Sequence, residues 1–126
     1  MGGISAMEVK ECYEAFGGSY ESVKQRIPTD AIIKNFMLKF LEEPSFLNLS
    51  RALESGAYEE AFRAAHSLKG VSVNLGFKNL GNSTGTLTEL LRKSEEKSIH
   101  KEDWEEIFAC VSEDYNTLVE CISKLD

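Results

Sequence analysis

The sequence predicts an all-α fold, an antiparallel up-down four-helix bundle preceded by a short N-terminal helical extension. Long segments repeat apolar residues at i, i+3, i+4 and i+7, the period of a helix with one buried face, and none alternates at the period of two that a half-buried strand requires. Short interruptions of Gly, Pro and Ser separate them, of the length that joins antiparallel neighbours in a bundle. At 126 residues the chain is long enough for one domain with a real core. We divide it into an extension over residues 1–28, packed on the bundle, and a bundle domain over residues 29–126.

Taken in order, residues 1–4 include Gly2 and Gly3 and read as a frayed start. Val9, Cys12, Tyr13 and Phe16 mark a short amphipathic helix, stopped by Gly17 and Gly18. Ser19 caps a second, which carries Tyr20, Val23 and Ile27 and is closed by Pro28. Thr29 is the N-cap of a third, with Asp30 in the first turn where a carboxylate suits the helix dipole. Its broad apolar face holds Ile32, Ile33, Phe36, Met37, Phe40 and Leu41. Pro44 breaks the pattern, and Ser45 is placed to cap a fourth helix that carries Phe46, Leu49 and Leu53 and stops at Gly56.

The next helix opens with Glu59 and Glu60 at its positive end and closes on Gly76, suited to the left-handed position after a helix. Residues 77–95 are its antiparallel partner, with Leu80, Leu87, Leu90 and Leu91 as the core stripe. Gly81, Gly85, Thr84, Thr86 and Thr88 make this a poor helix by propensity. Packing is expected to override that, the small residues letting two backbones come close. A polar loop over residues 96–101 leads into a last helix whose seam runs Trp104, Ile107, Phe108, Val111, Tyr115, Leu118, Ile122 and Leu125.

Composition narrows the function. The chain is 42% hydrophobic and 28% charged, ordinary for a soluble globular domain. A formal charge of −7 argues against a nucleic-acid surface. No apolar run approaches the roughly 20 residues of a membrane span, and no signal-peptide pattern opens the chain. Cys12, Cys110 and Cys121 form no CxxC pair, and with their apolar neighbours they read as reduced core thiols of a cytoplasmic protein. The expectation is a stand-alone monomer without nucleic-acid or membrane partners.

Chemistry gathers in residues 61–77, AFRAAHSLKGVSVNLGF. At about 100° per residue, Ala57, Ala61, Ala64, Ala65, Leu68, Ser72 and Leu75 share one small or apolar arc, and His66 falls nearly opposite. Gly70 lies one turn above on the outward face, Arg63 roughly one turn below, and Lys69 on the flank within reach of the imidazole. A mid-helix Gly costs roughly 0.5–1 kcal/mol relative to Ala. Gly70 makes sense where another macromolecule must come close to the ring. Neutral imidazole is a competent nucleophile near neutral pH. An ammonium beside it would offset the roughly −1.5 to −2 charges of a phosphorylated side chain. Val73 reads as part of an apolar docking rim, and Asn74 as a residue that bonds the backbone near the helix end or orients neighbours of the site.

His66, Lys69, Gly70, Asn74, Leu75 and Gly76, in the run HSLKGVSVNLG, closely resemble the motif of histidine-containing phosphotransfer (HPt) domains, and the resemblance extends from about Thr29 to the C-terminus. It implies that His66 accepts a phosphoryl group from a response-regulator receiver aspartate, or from a hybrid kinase, and passes it on. Lys69 and Arg63 would support the phosphoryl group, while Gly70, Val73 and Asn74 would face the docked partner. The partners implied are receiver domains and a sensor or hybrid histidine kinase. Mg²⁺ would come with the receiver, so no cofactor is bound by this chain. There is no Gly-rich nucleotide loop, so no kinase activity is expected. Two departures stand out. Val71 follows Lys-Gly where many members have a small residue, and the counted equivalent of a Gln on the facing helix is Thr88, a shorter candidate for a second-helix contact.

A di-iron bundle needs Glu-x-x-His pairs, and positions 63 and 97 are Arg and Lys. His100, in its loop, reads as an ordinary surface residue. A non-catalytic adaptor that binds a receiver without carrying phosphate remains the alternative function, with the retained His66 weighing against it.

Overall fold

Residues 7–125 are described in the computed structural model, so the expectation for residues 1–4 lies outside the described part. Among the described residues there are seven α-helices and no strand, with one isolated bridge between Met7 and Leu125. The helices are α1 (Val9–Ala15), α2 (Tyr20–Arg26), α3 (Asp30–Phe40), α4 (Ser45–Ser55), α5 (Tyr58–Asn74), α6 (Lys78–Arg92) and α7 (Lys101–Ser123), with a 3-10 turn (Lys93–Glu95) before the last.

Four of these, α4 to α7, make the bundle. Short reversals join α4 to α5 at Gly56 and α5 to α6 at Gly76, and α4 meets α7 through the Phe46 ring, stacked on Tyr115 at 4.0 Å and on Phe108 at 5.7 Å. α3 lies outside and inserts Phe40 between Phe77 and Tyr115, with centroids at 5.1 and 5.8 Å. The two leading helices share the same core. Tyr13 packs on Phe16 and Phe77 and donates its hydroxyl to the Leu75 carbonyl, and the Cys12 thiol donates to the Cys121 carbonyl at 3.3 Å. Arg26 of α2 donates to the Val73 and Asn74 carbonyls at 3.2 and 2.7 Å. It thereby satisfies the Asn74 carbonyl that the helix end leaves open, adds a second donor to the Val73 carbonyl, and places a cation at the negative end of α5.

The α5–α6 seam sets the geometry of the site. Ser72, Thr84 and Thr88 are fully buried on it, and their hydroxyls donate to the carbonyls of Leu68, Leu80 and Thr84, each at 2.7 Å. These bonds stay within each helix. The polar atoms are therefore satisfied without a partner across the seam, and about 1–3 kcal/mol per hydroxyl of unpaired desolvation is avoided. Gly81 completes the close approach. A Cβ there would meet the Val73 and Ser72 side chains at 3.5 and 3.8 Å. This is the packing that overrides the poor propensity of α6.

Gly76 makes the turn between the two helices. Its φ of +72° ends α5 in a Schellman motif, with the Gly76 N–H on the Val73 carbonyl and the Phe77 N–H on the Ser72 carbonyl, at 3.2 and 2.8 Å. The Ser19 N–H donates to the Gly76 carbonyl at 2.8 Å, which ties α2 to the same corner.

Several sequence expectations are corrected. On α3 only Ile33, Met37 and Phe40 are buried, whereas Ile32 and Phe36 remain 44% and 43% exposed and Leu41 is exposed too, because this helix packs along one narrow edge outside the bundle. Ser45 does not cap α4 but is its first residue, following Pro44, and the Glu43 carboxylate accepts both its N–H and its hydroxyl. Leu90 is only partly buried. Cys12 and Cys121 are core thiols, with burial pushing Cys12 up to about 11, but Cys110 is exposed on α7.

Gly76→Ala should cost about 1–2 kcal/mol from the left-handed backbone alone. The loss should grow further because its Cβ would stand 2.8 Å from the Ser19 carbonyl oxygen. Urea denaturation measures this against Gly81→Ala, which should shift stability by less than about 1 kcal/mol either way.

Candidate functional site

α5 is oriented by what it buries. Ala61, Ala65, Leu68, Ser72 and Leu75 face the core, which turns His66 and Gly70 into solvent. No hydrogen bond or ion pair among the described residues engages the His66 ring. Its aromatic neighbour is Phe62, one turn earlier, with centroids 6.0 Å apart. The N-terminal helices do not cover it, since they pack against the other end of α5 at Val73–Gly76.

Lys69 is half-buried because its stem lies on α6. A Cβ at Gly85 would meet its Cε at 3.7 Å and its Cδ at 3.9 Å. The ammonium makes no ion pair among the described residues and does not bond the imidazole. Beside it, a Cβ at Gly70 would meet nothing within 4 Å, so the helix backbone is bare there. Val73 is 54% exposed and Asn74 is exposed, next along the same face. His66, Lys69, Gly70, Val73 and Asn74 thus form one continuous surface.

Two candidates fall elsewhere. Arg63 pairs with Glu59 at 2.9 Å, which draws its guanidinium one turn toward the start of α5, away from His66. There it borders a polar groove of about 480 Å³ between α4 and α5, with Arg51 and Ser67. Thr88 cannot make the second-helix contact. It is fully buried on the seam and its hydroxyl is committed to the Thr84 carbonyl. α6 turns that position inward and gives the outward positions to Gly85, Glu89 and Arg92.

Glu89, Arg92 and Phe62, which border this surface, were not singled out in the sequence. Arg92 lies over the Phe62 ring at 5.0 Å and is held by the Glu89 carboxylate through Nε and Nη2 at 3.3 and 3.2 Å. The available signals were the i, i+3 spacing of Glu89 and Arg92 and the i−4 position of Phe62 relative to His66. Neither reveals which part of α6 lies across from His66. His100 is the N-cap of α7, and the Asp103 carboxylate accepts from its N–H at 2.8 Å. Among the described residues no group of three or more His, Cys, Asp or Glu side chains is placed to hold a metal, and no helix is long and apolar enough to cross a membrane.

With this geometry in place, comparison with protein families is informative. Residues 43–125, which contain α4 to α7, match the family model of the Hpt domain. The chain belongs to the Hpt domain family, whose members serve phosphotransfer in two-component signalling and interact with receiver domains and histidine kinases. Searches of curated proteins and of solved structures return no match. The first three helices precede the matched region.

The open space at Gly70 and the ordinary contacts at Gly85 carry a stability prediction. Gly70→Ala and Gly85→Ala should each raise stability by up to roughly 0.5–1 kcal/mol. Thermal or urea unfolding checks this, and a clear loss at Gly70 would contradict the open backbone.

Proposed function

We propose that this protein is a phosphoryl carrier in a two-component phosphorelay, with His66 taking a phosphoryl group from a receiver aspartate or hybrid kinase and handing it on. The observation that carries this reading is a solvent-facing imidazole and a neighbouring lysine, neither bonded to another side chain among the described residues, beside a bare stretch of helix.

The unprotonated ring nitrogen attacks the phosphorus of the partner's aspartyl phosphate. A nitrogen–phosphorus bond forms, the bond to the carboxyl oxygen breaks, and its electron pair leaves with the carboxylate. The other ring nitrogen keeps its proton. Catalysis of such a transfer is mostly positioning and charge neutralisation. Lys69 brings one cation, its stem fixed on Gly85 so that little side-chain freedom is lost when the ammonium meets phosphoryl oxygens. Mg²⁺ and the groups that hold it come with the receiver, and this chain binds no cofactor and has no kinase activity. Gly70, Val73 and Asn74 form the docking rim. Arg63, committed to Glu59, stands outside the phosphoryl site. The protein acts as a cytoplasmic monomer.

Mixing the full chain with a phosphorylated receiver and Mg²⁺ should yield acid-labile, alkali-stable phosphate that is absent from His66→Gln. Label persisting in that variant would move the site, and no label with several receivers would favour the adaptor. Lys69→Ala should slow acceptance about tenfold, as expected for losing one charged hydrogen bond, while receiver affinity changes less. Gly70→Leu should keep or slightly raise the wild-type melting temperature yet slow transfer by obstructing close approach. Transfer at the wild-type rate would refute that role of Gly70.

A further inference from the structure

We propose that the groove between α2, α5 and α6 takes an apolar side chain of the docking receiver, so that the N-terminal extension helps to select the partner. This inference rests on the carrier reading above.

The groove has a volume of about 260 Å³, room for one branched aliphatic or aromatic side chain. Val73, Gly76, Phe77 and Gly81 give it an apolar lining from α5, α6 and the turn between them. Ser19 and Ser22 line it from the extension. Its place ties it to the phosphoryl site. Lys69 also lines the groove, and Val73 is seven residues from His66, about 10 Å along the helix. A protein that reaches His66 across the bare backbone at Gly70 would cover this groove with the same surface.

The extension is fixed there as a wall. Arg26 donates to the Val73 and Asn74 carbonyls, the Ser19 N–H to the Gly76 carbonyl, and the Asn79 N–H to the Gly17 carbonyl at 3.2 Å. These bonds hold the extension on both helices that line the groove, so little has to be ordered when a partner docks. Ser19 and Ser22 precede residues 43–125, which match the family, so the wall is an addition to the family's bundle.

Charge indicates what flanks the inserted side chain. The chain carries −7 overall, yet no carboxylate lines the groove, whose charged residues are Lys69 and Lys78. Neither lysine makes an ion pair among the described residues. A receiver surface with a leucine, isoleucine or phenylalanine flanked by carboxylates fits both features. Burial of the apolar side chain supplies affinity, while the lysines steer the approach and disfavour partners with basic rims.

The test compares two donors on the full chain: a phosphorylated receiver that discharges to wild type with Mg²⁺, and phosphoramidate, which is too small to need the groove. Ser22→Phe, which fills the groove from the extension, should keep the wild-type circular dichroism and the wild-type phosphoramidate labelling of His66. Its KM for the receiver should rise about tenfold at an unchanged maximal rate, as expected for losing the burial of one apolar side chain. Lys78→Glu should raise that KM several-fold at low ionic strength, with the difference shrinking in about 1 M salt. Lys97→Glu, beyond the opposite end of α6, makes the same change of net charge and should leave the KM at wild type. A wild-type KM in Ser22→Phe, or a Lys78→Glu effect matched by Lys97→Glu, would overturn the proposal while the carrier reading stands. So would a loss in Ser22→Phe shared equally by phosphoramidate labelling. Failure of wild-type His66 to take label from either donor would overturn both.

Discussion

The structure depends on how two helices with polar, low-propensity sequences come close together. Ser72, Thr84 and Thr88 are buried between α5 and α6, where an unpaired hydroxyl would be costly. Each returns its proton to a carbonyl one turn back on its own helix, so the seam presents small, satisfied surfaces to both sides. Gly81 removes the last bulk, and Gly76 reverses the chain so that the two helices meet in a fixed register.

That register makes the site. Because α5 must bury its arc of Ala61, Ala65, Leu68 and Ser72, His66 and Gly70 can only face outward. Because α6 buries Thr84 and Thr88, it offers Gly85 to the Lys69 stem and Arg92 to Phe62. The extension contributes from a distance. Arg26 caps the carbonyls of Val73 and Asn74, and Tyr13 bonds the Leu75 carbonyl, so the end of the histidine helix is held while the ring stays uncovered.

Much of this was readable along single helices. The helical period placed the buried arc of α5 and the outward His66, and special chemistry marked Gly76 as a left-handed stop and Thr29 as a cap, whose hydroxyl accepts from the Ile32 N–H. What the sequence did not yield depends on relations between elements. Whether Ile32 and Phe36 are buried depends on where α3 sits, and it sits at the edge. Thr88 is turned into the seam of α6, since a count along the sequence does not include helix rotation. Arg63 faced outward as the period required, yet the nearer carboxylate of Glu59 took its guanidinium. Arg92 meets the Phe62 ring through the α5–α6 register, which no periodicity encodes.

The central claim is that a single free imidazole, at His66, carries the phosphoryl group and gives it up again. The most direct measurement isolates the phosphorylated chain, maps its phosphate by mass spectrometry, and adds an unphosphorylated receiver domain with Mg²⁺. One phosphoryl group should be found, on His66, and it should move to the receiver aspartate as the histidine signal disappears. Phosphate located on any other residue, or a phosphorylated His66 that no receiver can discharge, would contradict this account.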